Sequence, residues 1–440
     1  MSKKYAGKKM SFPQLKADKN IFANKNQIIK KWVTIIHHIV IILIITIGCA
    51  QKTEKIVVWT SMRPLERQLL DSLLHEFSTT YPQYRFVQLF YAPEEARTNF
   101  IISSLAGKGP ALIHGANDNI GPFVELGVIQ PMEDYFSQSE LDEFLDDPFP
   151  ANTYFKGHLY QVADRVGNHL CLVYNKKLVK KPPQTMHELI EMGKKLTVDE
   201  NGDGRPERYA IAWNYTEPFF FVPFITGYGG WLFDDQYRPT LNTEATKKAA
   251  QLIYDLVNKY KIMPKEADYE IANALFKDGL AAMIINGPWS WSTYLKNNIP
   301  IGIARIPKID ETGLWPAPLV SPMGYSLNKN LTGEKLQVTV KLLKFLTSDS
   351  VQLRFTKLSG SIPSRKTAFK DSLVQNNEII RAALDQLLVG RPMPVITEMR
   401  WIFDAMRPAY QGIFTGQVTP EEAVEQMQKL AEKLIRENRE

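Results

Sequence analysis

The sequence predicts an α/β fold in which a parallel sheet is covered by helices, and three observations carry that prediction. Short apolar runs of strand length recur at Ile56–Trp59, Tyr84–Tyr91 and Ala111–His114. Stretches with apolar residues at helical spacing lie between them. The resulting order of strand, helix, strand, helix, strand is the one that parallel strands with crossover helices require. The 440 residues are 44% hydrophobic and 23% charged, an ordinary globular composition that excludes a disordered or fibrous chain. At roughly 100–200 residues per domain, this length accommodates two to three domains.

Each element has a local reason. Ile56–Trp59 (IVVW) is a short β-like run. Pro64 then stands where a helix can start, since the N–H it lacks would have no partner there. Leu65, Leu69 and Leu73, with Leu70, Leu74 and Phe77, repeat at helical spacing. Tyr84–Tyr91 alternates in part as a strand, and Pro93 opens a second helix through Leu105. Gly107–Pro110 breaks that helix before the strand Ala111–His114. Ligands of such sheets bind beyond the carboxyl ends of the strands. Thr60–Arg63 and Gly115–Asn119 therefore stand beside a candidate site. Further along, Leu170–Tyr174 reads as a strand, Thr185–Leu196 and Thr243–Tyr260 as helices, Ala272–Phe276 as helix and Ala281–Ile285 as strand. Thr419–Arg436 reads as a terminal helix, and Glu421 and Glu422 near its start suit the helix dipole.

The formal net charge of +6 invites a nucleic-acid or anionic-surface reading. Its location removes that reading. Residues 1–48 hold nine of the 53 basic residues and only one of the 47 acidic ones, Asp18, so the chain from Cys49 onward is close to neutral at −2. The excess belongs to a leader. Lys25, Lys30 and Lys31 precede the apolar run Ile39–Ile47, which is followed by Gly48 and Cys49. A positive region, an apolar stretch of about 7–15 residues and a small residue describe a secretory signal, and the run is short of the roughly 20 residues of a spanning helix. The T-I-G-C junction looks like a bacterial lipobox, which makes Cys49 the lipidated residue and places the protein at the cell envelope. Thr46 departs from the usual Leu, and an uncleaved anchor is the competing reading. The leader is long enough that translation could begin at Met10. The other cysteine, Cys171, sits in the apolar run LCLVY and reads as a buried hydrophobe. Two cysteines exclude a disulfide framework and a Cys-rich zinc module.

Three longer stretches carry a family resemblance. Gly109–Ile129 (GPALIHGANDNIGPFVELGVI) resembles the segment that closes the first lobe of maltose- and maltodextrin-binding proteins. Tyr209–Gly230 (YAIAWNYTEPFFFVPFITGYGG) is similar to their E-P-Y-F segment, and Asp268–Trp291 (DYEIANALFKDGLAAMIINGPWSW) to their I-N-G-P-W-x-W segment. Val173–Lys181 with Pro182, Pro183 and Thr185 fits the same pattern. The resemblance runs from about Lys55 to the C-terminus. It implies an extracellular solute-binding protein of an ABC importer with the two-lobe, type II periplasmic-binding-protein fold and a ligand cleft between the lobes. It further implies a tether at 49–54, a first lobe of 55–166 plus 317–363, and a second of 167–316 plus 364–440. The implied partners are an oligosaccharide, the permease subunits and, through Cys49, the membrane; no cofactor is implied, and the protein is expected to be a monomer that binds no nucleic acid.

A sugar ring offers apolar C–H faces and a rim of hydroxyls, so its site needs aromatic platforms and fixed polar groups. Carried over residue by residue, the resemblance assigns hydroxyl binding to Glu217, stacking to Trp289 and Phe219, hydrogen bonding to Asp118 and a role to Arg407. Phe403 stands at a stacking position where the family often has Trp, and Arg63 is the polar member of a pair near the first strand. Gly115 replaces a Trp, Asn119 an Arg and Asn168 a Glu; Asn119 and Asn168 are still expected to bind ligand, but the exchanges reduce stacking and charge on one side of the cleft and put maltose itself in doubt. Phe220, Phe221, Phe224 and Trp291 read as core packing. Asp404 stays open between a cleft group and a surface charge. A lone histidine is more often structural, and neither His114 nor His169 has zinc spacing. Asp199–Gly204 (DENGDG) matches the start of a calcium loop through Asp199, Asn201 and Asp203, with Glu207 at the ninth position. Ala210 at the twelfth lacks the bidentate carboxylate, and a polar turn is the plainer reading. The competing functions are a secreted glycoside hydrolase using Glu217 and Asp404, which would need its carboxylates about 5–9.5 Å apart, and the same scaffold binding a solute other than a maltodextrin.

Overall fold

The strand–helix alternation expected at the start of the chain is present. Strand β1 (Glu54–Thr60) leads into the helix Pro64–Ser78, β2 (Tyr84–Phe90) into the helix Pro93–Leu105, and β3 (Leu112–Ala116) follows. Both helices carry Pro in the first turn, and Leu70, Leu73, Leu74 and Phe77 are the buried face of the first. The computed structural model describes residues 30–38, 53–146 and 150–439. Two compact units result, Met1–Glu54 and Lys55–Glu440. Of the first, residues 30–38 are helical, while the apolar run Ile39–Ile47 and the expected lipidation site Cys49 lie outside the described residues. Among the described residues no helix is long and apolar enough to cross a membrane.

The second unit contains two sheets. The larger adds β4 (Ile129–Gln130), β5 (Thr153–Phe155), β6 (His158–Asn168), β11 (Leu319–Asn328), β12 (Ile362–Pro363) and β13 (Arg391–Pro392) to the first three strands. Its main path runs β12-β6-β11-β3-β1-β2. The smaller consists of β7 (Cys171–Asn175), β8 (Tyr209–Ala212), β9 (Ala281–Asn286) and β10 (Ile301–Ala304), in the order β10-β7-β9-β8. The expectation of a purely parallel sheet is corrected here. β1 and β3 are parallel, as are β8 and β9, but β11 runs antiparallel to both β3 and β6, and β7 antiparallel to β9 and β10. The long strands β6 and β11 return from distant sequence, and no short-range spacing announces their pairing.

The chain passes between the sheets at three places. Only His169 and Leu170 separate β6 from β7. The segment from β10 to β11 crosses back. After β12 the helix Glu378–Leu387 serves both sheets, with Ile380 and Leu387 in the first core and Ala383 in the core beside β7 and β10 of the second, and β13 then pairs in parallel with β11. The helix Glu398–Thr415 then buries Met399, Ile402 and Tyr410 in the core around the second sheet, where the Trp213 Nε1–H donates to the Tyr410 hydroxyl at 3.0 Å. Phe220, Phe221, Phe224 and Trp291 are buried there or in the adjoining core, as their apolar runs suggest. Cys171 is buried, and desolvation pushes its thiol far up, which removes it as a nucleophile.

Two features of this frame are testable. At Gly324 a Cβ would stand 2.3 Å from the Val162 carbonyl oxygen and 2.6 Å from the Ala163 Cα, so β11 and β6 can pair this closely only without a side chain. Gly324→Ala should cost about 2–3 kcal/mol in urea unfolding. His169 is buried at the shortest crossing, with Nδ1 2.6 Å from the Gly167 carbonyl and Nε2 3.1 Å from that of Ala383. Burial outweighs both carbonyls and lowers the imidazole from 6.5 to about 4. Between those values the unfolded chain binds a proton that the folded chain refuses. Stability from this group is present above pH 6.5 and is lost as pH falls toward 4, by about 3 kcal/mol. Unfolding midpoints measured across that window should fall more steeply in the parent than in His169→Gln.

Candidate functional site

Trp289 is placed by a small steric device. It follows Gly287 and Pro288 at the start of the helix Pro288–Lys296. A Cβ on Gly287 would lie 2.1 Å from the Trp289 ring, so the indole folds back over a position that only glycine leaves empty. The ring is half-buried, and Phe219 stands 6.5 Å away at 54°, also half-buried. Two aromatic rings thus share one partly open surface. Phe219 belongs to the short 3-10 helix Pro218–Phe220, whose N-cap is Glu217.

Glu217 is paired with Arg407. The guanidinium donates through Nη1 to one Glu217 oxygen and, at 2.9 Å, to the Thr216 carbonyl. Its Nη2 lies 3.7 Å from Asp404. Burial pushes the Glu217 carboxyl above its usual range against the pull of Arg407. Glu217, Phe219, Trp289 and Arg407 are therefore brought together as the resemblance implies.

On the first-sheet side, Asp118 sits in the turn Asn117–Asn119 after β3. Its Oδ2 is 3.6 Å from Arg400, and Asn119 donates to its Oδ1 at 3.2 Å. Burial pushes the Asp118 carboxyl up, with Arg400 opposing and Glu94 adding to the rise. Arg63 caps the helix Pro64–Ser78 and lays its guanidinium 5.1 Å from the centroid of the Tyr269 ring. Tyr269 is on the helix Tyr269–Lys277, which packs on β9 of the other sheet, so this cation–π contact joins the two sides.

Two assigned residues are used differently from the expectation. Asn168 donates to the Ser321 hydroxyl at 3.0 Å and ties β6 to β11, so its amide serves the crossing. Phe403 is 5% exposed and packs into the core of the second sheet, which leaves little of its ring as a platform. The reason is helical phase. The stripe Arg400, Asp404 and Arg407 faces the charged groups, and Phe403 turns inward beside Met399, Ile402 and Met406.

The loop Asp199–Gly204, with Glu207, has the internal hydrogen bonds of a polar turn. Asp199 accepts from the Gly202 and Gly204 N–H groups at 2.9 and 3.0 Å, and Asn201 from that of Asp203 at 2.8 Å. Asp203 accepts from the Arg205 N–H at 2.7 Å and Glu207 from that of Glu200 at 2.8 Å. The loop is a turn stapled by its own backbone, with Gly202 and Gly204 at φ +72 and +78. Among the described residues no group of three or more His, Cys, Asp or Glu is placed to hold a metal.

Sequence reasoning passed over Glu94, Arg97, Tyr269 and Arg400. Arg400 had a readable signal, because it precedes Asp404 and Arg407 at four- and seven-residue intervals on one helix. Glu94 reads equally as an ordinary acid in a first helical turn.

The family model for bacterial extracellular solute-binding proteins matches residues 75–382. The maltose/maltodextrin-binding domain of Bdellovibrio bacteriovorus, solved with maltotriose bound, is 43% identical with a TM-score of 0.82, over 87% of this chain and all of that one. A maltotriose-binding protein of Pyrococcus abyssi is 29% identical over 331 residues, 74% of this chain and 70% of its own. A galactooligosaccharide-binding protein of Bacillus subtilis is 26% identical over 344 residues, 75% of this chain and 78% of its own.

The Glu217–Arg407 pair makes its own prediction. With Arg407→Met, burial acts on Glu217 without its counter-charge. The carboxyl should titrate higher still, read by carbon NMR of labelled glutamate.

Proposed function

The chain belongs to the bacterial extracellular solute-binding proteins, and from that membership we propose that it captures an oligosaccharide of maltodextrin type in the cleft between its two sheets and delivers it unchanged to an ABC importer. The observation that carries this reading is the half-buried pair of Trp289 and Phe219 beside the Glu217–Arg407 ion pair. An aromatic surface suits the C–H face of a sugar ring, and a charge-assisted carboxylate and guanidinium suit its hydroxyls. The two sheets, joined by short crossings, would close around the ligand as rigid bodies about a hinge. Anchoring through a lipid on Cys49 would keep the receptor beside its permease.

The glycosidase reading loses support from Arg407. Paired carboxylates that cleave a glycosidic bond leave the space between them to the substrate. Here a guanidinium bridges Glu217 and Asp404 instead. The relatives named for maltotriose and for galactooligosaccharides make linkage the first question to put to this site.

The test is thermal unfolding of the purified full chain with maltotriose, longer maltodextrins and galactooligosaccharides, with an assay of released reducing ends on the same mixtures. A bound sugar at about 100 times its dissociation constant should add about 2.7 kcal/mol. Trp289→Ala should remove that gain while leaving ligand-free unfolding close to the parent's. New reducing ends would overturn the receptor reading. Absence of a shift with every sugar would overturn the ligand class.

A further inference from the structure

Arg63 and Tyr269 meet from opposite sides of the cleft, and each stands on a support that reaches further than the pair itself. Arg63 is half-buried three residues beyond β1. Its backbone N–H donates to Oε2 of Glu66 at 3.3 Å. The other Glu66 oxygen accepts from Nη1 of Arg165, and Arg165 holds Asp164 through Nε and Nη2 at 3.2 and 3.0 Å. Asp164 Oδ1 also lies 3.2 Å from Nε2 of His114 on β3. Glu66, Asp164 and His114 are buried. Removing a member would leave a buried charge unpaired, so the base holds its arrangement. Arg165 lies three residues before Asn168, which fastens the base of Arg63 to the strand that makes the shortest crossing.

The other side is built in the same way from neutral groups. Tyr269 is half-buried at the first turn of its helix. Its carbonyl accepts from the Asn273 amide at 2.5 Å, and Asn273 Oδ1 accepts from the Asn286 amide at 3.2 Å. Asn286 Oδ1 accepts the Gly287 N–H at 2.9 Å, and Gly287 is the residue over which the Trp289 indole folds. Asn273 and Asn286 are buried. Tyr269 therefore belongs to the same hydrogen-bonded block as the Trp289 platform.

Between the two blocks a guanidinium lies 5.1 Å from a ring centroid. Among the described residues no ion pair holds Arg63 elsewhere. A cation over an aromatic face shifts an equilibrium by roughly two- to thirtyfold. That is enough to bias two lobe arrangements and too little to lock one of them. Resting on the receptor reading above, we propose that Arg63 and Tyr269 form a latch that biases the ligand-free protein toward the closed arrangement and so raises its affinity for sugar. The latch works through the population of closed protein and not through contact with the ligand, because a ligand that binds only the closed form loses affinity in proportion to the fraction that is open. Both members are positioning residues for the Trp289 surface.

Small-angle scattering of the ligand-free full chain tests the latch without any sugar. Arg63→Met and Tyr269→Leu should each give a larger radius of gyration than the parent, and Tyr269→Phe, which keeps the ring, should not. Circular dichroism melts separate an opened variant from an unfolded one; should Arg63→Met fail to fold, Tyr269→Leu against Tyr269→Phe carries the same comparison. Calorimetric titration with maltotriose should show each of Arg63→Met and Tyr269→Leu weakening affinity about three- to tenfold, and the double variant no more than either alone, since both break one contact. An unchanged ligand-free radius of gyration in folded variants overturns the latch. Penalties that multiply in the double variant overturn it too, because the two residues then act separately. A parent chain that binds no maltotriose overturns the oligosaccharide reading, and the ligand-free scattering still decides the latch.

Discussion

The link between β6 and β7 constrains everything built around it. β6 is paired with β11 and β12 up to Asn168, and β7 resumes pairing with β9 at Cys171. His169 and Leu170 must carry the chain from one sheet to the other, and both are fully buried. Backbone groups in so short a buried link need partners. The His169 ring spans the Gly167 and Ala383 carbonyls, and Asn168 fixes β6 to β11 through Ser321. These side chains are committed to the crossing. A Glu at position 168, expected from the resemblance to line the cleft, would have to leave Ser321 or carry a charge into this packed junction. The Asn found here reaches Ser321 without bringing a charge to the junction.

One helix organises the charges on both sides. Along Glu398–Thr415, Arg400 reaches Glu94 and Asp118 near the first sheet, and Arg407 reaches Glu217 and Asp404 near the second. Each guanidinium is paired at an intermediate depth, where desolvation is costly and counter-charges are correspondingly effective. The carboxyls show the balance. Glu94, with Arg400 and Arg97 both ion-paired to it, is held low, while Asp118 and Glu217 are pushed up by burial that the guanidinium groups around them do not offset. The helix can place both arginines because its opposite face, Met399, Ile402 and Tyr410, is locked in the second core. Close approach of backbone near Gly121 and Ile396, together with the 2.7 Å bond from Thr397 to Glu125, seats its first turn against the first sheet.

Local sequence rules recovered what local physics decides. The Pro-initiated helices, the β1–β3 alternation and the buried apolar runs follow from spacing and turn chemistry over fewer than twenty residues. Glu217 and Trp289 were singled out by the family motifs that contain them, and a fixed backbone feature holds each, the Pro218 turn and the Gly287 gap. The antiparallel insertion of β11 was not legible, since its partners β6 and β3 lie about 150 to 215 residues earlier in the chain and nothing short-range encodes the pairing. Phe403 was misplaced because a single aromatic says nothing about helical phase. Phase becomes readable only when Arg400, Asp404 and Arg407 are taken as one stripe. The acidic loop at Asp199 was open to two readings for a related reason: residues that ligate calcium also staple tight turns, and the backbone N–H groups here point to the turn that was the plainer reading.

The departures at Gly115 and Asn119 fall together in the turn region after β3, and the geometry gives them a common effect. A Cβ on Gly115 would meet only the Asn119 amide, 4.0 Å away, so the backbone there leaves room for a side chain that glycine does not supply. Asn119 does not reach into it as an arginine would, but turns back to Asp118 and the Ala116 carbonyl. With neither platform nor long cation there, the first-sheet side can discriminate only through short, directional polar contacts. Such contacts reject a wrong hydroxyl pattern more sharply than an apolar surface does, because a mismatch leaves a buried polar atom unpaired. A site divided in this way, with apolar faces on the second-sheet side and fixed donors and acceptors on the first, would tolerate variation in ring number over Trp289 and Phe219. It would be strict about the configuration of the ring beside Asp118.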